Sequence, residues 1–296
     1  MTVARPAGPD GLVVVDKAAG WTSHDVVAKS RGLLGTRKVG HAGTLDPDAT
    51  GVLLLGVGRA TKLLRYLSPL GKSYVGEVVL GSETNTLDSS GDVTATHDMA
   101  GVTLDQFRAA ASTFVGDIEQ IPPMVSAVKV GGKRLHELAR QGIEVERAPR
   151  PVTIERLEVS AGPEPHVFVV DVTCSSGTYI RTLAADIGRA LGGGAHLRNL
   201  RRTSVGPFTL GEAVPLEQVS PDVVRPMADV VRHLDVVTAS AEVAEAVAVG
   251  KVLGPDRIDV AGAGPWAVVD TTGHLLAVYE RFRGDTVKPS VVVSAR

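Results

Sequence analysis

Short apolar runs of strand length recur along this chain, and helical periods fall between them only irregularly. Residues 12–16 (LVVVD) and 52–57 (VLLLGV) read as strands buried on both faces, while 73–80 (SYVGEVVL) alternates as a half-buried strand does. Residues 125–130 read as another strand, and 152–160 and 167–174 as a pair across a Gly/Pro-rich turn. Between them, Thr22 or Ser23 caps a helix through Leu34, and 59–67 has the pattern of a short amphipathic helix. Thr103 and Gln106 form a capping-box pattern before a helix through Phe114. Residues 133–141 read as a helix ended by Gly142, and 178–191 as one stopped by Gly192-Gly193-Gly194. A doubly wound fold needs a regular strand–helix–strand alternation, which is missing here. The expected class is therefore α+β, a mixed sheet flanked by helices.

The character changes near residue 235. An Ala/Val-rich helix ends at Gly250, and 266–270, 274–281 and 286–293 follow as strands, the first two joined at Thr272-Gly273. With 296 residues and 44% hydrophobic content, two domains are expected, 1–235 and a small β-rich 236–296. No apolar run approaches the roughly 20 residues that span a bilayer, and the first residues carry no apolar export signal. A single cysteine, Cys174, rules out an internal disulfide framework and a Cys-rich zinc site. These features predict a cytoplasmic protein. The eight histidines have no metal-ligand spacing, and the segment Gly56–Lys62 lacks the spacing and Gly-Lys-Ser/Thr ending of phosphate-binding loops. Neither a metal nor a nucleotide cofactor is expected.

Net charge is −2, but it is unevenly spread. Residues 1–75 carry +5, 76–130 carry −6, 131–202 carry +3 and 203–296 carry −4. Two basic segments brought together by folding make a surface suited to phosphates.

Four clusters could carry chemistry. The loop Gly40–Gly51 holds Asp46 and Asp48 among three glycines, with Arg37, Lys38 and His41 on its N-terminal side. Its glycines suit a loop that holds one side chain toward a substrate, and Pro47 biases Asp46 toward extended backbone. The alternative is a capping aspartate in an ordinary loop. The second cluster, Cys174–Thr182, sets Arg181 in the first turn of a helix, where a guanidinium can keep a carboxylate ionised. The third, Lys72-Ser73-Tyr74, offers a tyrosine for stacking on a base, or a plain strand tyrosine. The fourth, Gly194–Arg202, has three arginines suited to phosphates, or to a solvated helix end. Cys174 lies in an apolar strand, where a structural thiol is expected rather than a nucleophile.

Taken in order, these segments closely resemble the TruB family of pseudouridine synthases. The resemblance runs from about residue 11 to 210, through Gly11–Lys17 with Gly20, HAGTLDPDATGVL, Lys72-Ser73-Tyr74, Pro122-Pro123-Met124 with Ser126-Ala127, Ala139–Gly142, SGTYIRTL and Gly194–Arg202. It implies a pseudouridine synthase fold with a largely antiparallel sheet and a PUA-like C-terminal RNA-binding module. It implies isomerisation of uridine 55 in the T-loop of tRNA after base flipping, without a cofactor. Asp46 would be the essential carboxylate. Tyr74 would stack on the extruded uracil, Arg181 would pair with Asp46, and Tyr179 and Leu200 would line the pocket. His41 would enter the T-loop, and Lys17, Lys62 and Asp88 would be further active-site or RNA contacts. The partner would be tRNA, touched at the T-stem-loop and the acceptor end, with no obligatory protein partner and no membrane. The sequence departs from the family at Ala18, where proline is usual, and at Asn85, where aspartate is usual. A non-catalytic RNA-binding or tRNA-folding protein, an RNA N-glycosidase and a guide-dependent pseudouridine synthase are the rival readings.

Overall fold

The computed structural model describes residues 8–293 apart from 127, 128 and 140. Ala127 and Arg140, both in segments that carry the resemblance, lie outside the described residues. Along the chain come β1 (Gly11–Lys17), α1 (Ser23–Leu33), β2 (Val39–Ala42), β3 (Thr50–Val57) and β4 (Lys72–Leu80). Then follow α2 (Leu104–Ser112), β5 (Gly116–Gln120), β6 (Arg150–Ala161), β7 (Val167–Cys174), α3 (Ile180–Ala190) and β8 (Ala195–Val205). The C-terminal elements are β9 (Asp235–Thr238), α4 (Ala241–Ala248), β10 (Trp266–Val269), β11 (Leu275–Arg281) and β12 (Val287–Val292).

These elements fall into two compact units. One contains Met1–Pro47, Gly51–Pro69 and Gly206–Arg296; the other contains Asp48–Thr50 and Leu70–Val205. In the first unit β3 pairs antiparallel with both β1 and β2, and β1 pairs parallel with Val214–Pro215. The continuous apolar runs of β1 and β3 are explained by burial on both faces. Val13, Val15, Leu53 and Leu55 form one core with Val26, Val27 and Leu34 from the α1 segment. That helix starts at the Thr22 cap, whose side chain accepts from Asp25 N–H while Asp25 returns a bond to the Thr22 backbone.

The C-terminal residues of this unit have their own four-stranded sheet, ordered β9-β10-β11-β12, and their own core around Trp266, Val268, Ala277 and Tyr279. They are tied to the N-terminal segments. Arg59 is paired with Asp10 at 2.6 Å and donates to the Val293 carbonyl at 2.6 Å, and the hydroxyls of Tyr66 and Ser290 are hydrogen-bonded.

In the second unit the strand order is β8-β4-β7-β6-β5, antiparallel throughout. The helix α2 carries the capping box anticipated at Thr103 and Gln106. Its Phe107 stacks on Phe168 of β7 at 4.3 Å between ring centres.

Several expectations need correction. The Gly40–Gly51 segment is not all loop, because Val39–Ala42 pairs with β3, which itself begins at Thr50. Residues 59–67 form a 3-10 turn, Gly58–Leu63, before one α turn, Leu64–Leu67. The arginine-rich 194–202 segment lies almost wholly in strand β8 rather than at a helix end. Alternation there was masked by a bulge, with register shifts between Arg198 and Arg201 and between Arg202 and Ser204.

Candidate active site

In the first unit, Asp46 sits half-buried in the loop after β2, which turns at Gly43 with φ +76, a conformation that favours glycine. The backbone is gripped on both sides of Asp46. On the N-terminal side, the Ser23 hydroxyl accepts from the Leu45 N–H at 2.9 Å and donates to the Leu45 carbonyl at 3.2 Å. Ser23 and the Leu45 side chain are both buried. On the C-terminal side, the Pro47 carbonyl accepts from the Lys17 ammonium at 2.9 Å and from the Gly20 N–H at 3.0 Å. The same ammonium donates to the carbonyls of Trp21 at 2.8 Å and Ala18 at 2.9 Å.

Lys17 has no exposed surface, so it is too deep to meet a phosphate directly. It acts on the loop instead, joining the end of β1 to the residue after Asp46. Ala18 takes part only through its carbonyl, so the departure from proline at that position leaves the contact in place. His41, half-buried in β2, meets the exposed His24 ring edge-on at 5.2 Å. Lys62 is exposed on the 3-10 turn of the same unit.

In the second unit, Arg181 is buried at the second position of α3. Its guanidinium donates to the Thr86 carbonyl at 2.9 Å and the Val125 carbonyl at 2.8 Å, and its Nε lies 3.5 Å from Asp88 Oδ2. The other Asp88 oxygen accepts from the Thr86 hydroxyl at 2.7 Å and the Ser90 N–H at 3.1 Å. Asp88 is thus fixed on one side and presents its charge to Arg181 on the other. Asn85 closes the same turn by accepting from Asp92 N–H at 3.1 Å.

Tyr74 is buried in β4, opposite Val172 on one side and Arg202 on the other. Two residues on, Gly76 makes room: a Cβ there would lie 3.3 Å from Leu200 Cδ1 and 3.2 Å from Leu197 Cδ1. Leu200 comes from the β8 bulge, beside Asn199 with φ +53. Strand pleat and bulge therefore carry Leu200 over the same strand that holds Tyr74. Tyr179, half-exposed, is the N-cap residue of α3.

The arginines of β8 do not make the phosphate surface that their spacing suggested. Arg198 is paired with Glu77 at 2.7 Å and Glu164 at 3.1 Å, Arg202 is fully buried, and Arg201 donates to the Thr50 hydroxyl at 3.2 Å. Lys72 is also buried, and burial, with Arg202 nearby, lowers its ammonium pKa to about 8. Burial pushes the Cys174 thiol up to about 11, which removes it as a nucleophile at neutral pH.

Two positioning residues escape a reading of the sequence. Ser23 stands beside Thr22, and only one of the two can cap the helix; the spare hydroxyl was the available signal. Gln120 ends β5, and its buried side-chain amide accepts from the Tyr179 N–H at 3.0 Å and donates to the Tyr179 carbonyl at 3.3 Å. Nothing local marks it, because its partner is 59 residues away.

The model of the TruB family pseudouridylate synthase N-terminal domain matches residues 31–180, and that of the tRNA pseudouridylate synthase B C-terminal domain matches 181–238. The chain belongs to the TruB family. The family's C-terminal model thus covers α3 from Arg181, β8, the connection that follows and β9, and stops at the end of β9, the first strand of the four-stranded sheet. Among TruB relatives, the chain is 50% identical over 293 residues to tRNA pseudouridine synthase B of Rhodococcus jostii (strain RHA1), covering 96% of this chain and 93% of the relative. It is 42% identical to the protein of the same name in Shouchella clausii (strain KSM-K16), covering 96% and 98%. Among solved structures, a Cbf5-Nop10-Gar1 complex matches with a TM-score of 0.74 and 29% identity, covering 95% of this chain and 84% of that one. An H/ACA RNP bound to a substrate RNA containing 2'-deoxyuridine matches with a TM-score of 0.74 and 25% identity, covering 99% and 92%. These matches establish a pseudouridine synthase fold for this TruB chain. Among the described residues no helix is long and apolar enough to cross a membrane, and no cluster of three metal-ligating side chains occurs.

Proposed function

We propose that this chain isomerises uridine 55 in the T-loop of tRNA to pseudouridine, with Asp46 as the essential carboxylate. The observation that carries the assignment is the two-sided grip on the Asp46 backbone, by Ser23 at Leu45 and Lys17 at Pro47. Anchors on both sides of a residue hold its side chain to a fixed position, as a catalytic group requires.

The reaction breaks the C1′–N1 bond, turns the uracil and joins C5 to C1′, with the C5 proton passing to solvent and N1 taking up a proton in exchange. Atoms and electrons balance without an oxidant, a metal or a nucleotide. The target base leaves its stack first, and His41, at the entrance to the loop, enters the T-loop as it goes. Asp46 acts ionised, either on C1′ as a nucleophile or on C2′ as a base. Arg181 pairs with it in the RNA-bound enzyme. The buried position of Arg181, fixed by Asp88 and two carbonyls, supports a guanidinium held ready for a carboxylate. Tyr74 stacks on the uracil near the atoms that exchange protons, and Tyr179 and Leu200 line the pocket. Lys62 contacts RNA phosphate.

Residues 1–235 act as the catalytic domain and 236–296 as a PUA-like module touching the acceptor end of the tRNA. The separate four-stranded sheet and core support that division, as does Phe282, with Lys288 Nζ 4.6 Å from its ring centre. The enzyme works in the cytoplasm and needs no protein partner.

The test uses unmodified tRNA transcript tritiated at uracil C5, and a T-arm hairpin alone. Label passing to water without loss of base supports the isomerase. Free uracil indicates an N-glycosidase, and no change indicates a binding protein. Asp46→Asn is expected to abolish label release while tRNA binding stays within a few-fold; near-normal release removes Asp46 from the mechanism.

A further inference from the structure

We infer that Ser23 is a positioning residue for Asp46, acting through the backbone of Leu45; this rests on the proposal that Asp46 is the catalytic carboxylate. One hydroxyl serves both polar groups of a single peptide residue: it accepts from Leu45 N–H at 2.9 Å and donates to Leu45 C=O at 3.2 Å. Ser23 is 1% exposed and Leu45 3%, so water has little access to replace the hydroxyl. A serine hydroxyl has one hydrogen and two lone pairs, and this geometry uses the hydrogen on the carbonyl.

The placement matters because Ser23 opens α1 rather than belonging to the loop. Thr22 caps that helix, through the exchange of bonds with Asp25. Ser23 is not needed for the cap and is left to reach 22 residues along the chain. The first turn of α1 therefore sets the position of residue 45, and residue 45 sets where the Asp46 side chain leaves the backbone. Lys17 fixes the opposite side at Pro47. With Ser23 removed, the backbone on the Leu45 side of Asp46 loses this anchor while the one at Pro47 remains. A misplacement of about 1 Å at a reacting group can lower a rate roughly a hundredfold.

The experiment compares full-length Ser23→Ala, Ser23→Cys and Thr22→Ala with the unaltered protein. Single-turnover tritium release, tRNA affinity and thermal unfolding are measured for each. Ser23→Ala is expected to slow release by at least about tenfold, with tRNA affinity within about twofold, at temperatures well below its unfolding midpoint. Thr22→Ala weakens the same helix without touching Leu45, so its midpoint should fall while its release rate stays near normal. Ser23→Cys keeps the side-chain size but bonds weakly, and it should be slow even where the alanine variant folds poorly. A folded Ser23→Ala or Ser23→Cys protein with a release rate within twofold of normal overturns the inference. So does a Thr22→Ala protein as slow as the Ser23 variants, which would reduce Ser23 to helix stability. Asp46→Asn is run in parallel. If that variant is active, the catalytic assignment of Asp46 fails; if it is inactive while the Ser23 variants are fast, only the positioning role fails.

Discussion

Replacing Gln120 with methionine isolates one tertiary contact on the Arg181 side of the proposed site. The two side chains have similar length and no charge, so the substitution removes an amide with little change in volume. Gln120 is 1% exposed and holds both backbone groups of Tyr179. The two losses are unequal. The Tyr179 carbonyl also accepts from the Leu183 N–H at 3.0 Å, so it keeps a partner when Gln120 is gone. The Tyr179 N–H lies at the helix N-cap and has no partner within the helix. An orphaned buried donor costs about 1–3 kcal/mol, and a lost second bond about 1 kcal/mol. Tyr179 is only half-buried, and water can recover part of this, so roughly 2 kcal/mol is expected for Gln120→Met. At about 2–4 °C per kcal/mol for a chain of this size, the unfolding midpoint should fall by about 4–8 °C. The assay is thermal unfolding followed by circular dichroism, with tRNA affinity measured in parallel, because Tyr179 is proposed to line the pocket. A midpoint within about 1 °C of the unaltered protein would show that the amide grip on Tyr179 does not matter.

Asp88→Ala should cost about 1–3 kcal/mol by urea unfolding, since it removes the carboxylate that lies 3.5 Å from the buried Arg181 Nε; an unchanged midpoint argues against that pairing. Lys72 has a folded-state pKa of about 8 against an ordinary 10.5, so burial disfavours its charge, and below pH 8 that penalty acts in full. Between pH 8 and 10.5 the unfolded chain holds the proton more tightly, so this group's contribution to stability rises with pH, by roughly 3 kcal/mol in all. Lys72→Met should abolish that rise, and an identical pH dependence in the variant rejects the assignment. Tyr74→Phe is expected to preserve tRNA affinity and slow single-turnover tritium release; an unchanged rate removes its hydroxyl from the proton-transfer step.

What the sequence made legible was local. The continuous apolar runs announced β1 and β3, because strands covered on both faces need no polar alternation. Capping chemistry announced α1 and α2, because Thr22 with Asp25 and Thr103 with Gln106 act within one turn. The family motifs announced the residues proposed for the site, since HAGTLDPDATGVL and SGTYIRTL are specific strings. Each of these signals lies within a dozen or so residues of its structural effect.

Only tertiary structure decided what those residues do to one another. Lys17 enters from the family resemblance as an active-site or RNA contact, and folding buries its ammonium against the carbonyl of residue 47. Three arginines in five residues read as a phosphate surface, yet pairing with Glu77 and Glu164 consumes one, burial takes another, and a strand bulge hides the pattern. Gln120 carries no local mark and Ser23 only a spare hydroxyl beside the Thr22 cap, because a hydroxyl or amide gains meaning only from the distant peptide group it meets. Hydrogen bonds have a range of about 3 Å in space and no range along the chain, so the sequence could name the loop and the helix while only the fold could say what holds them.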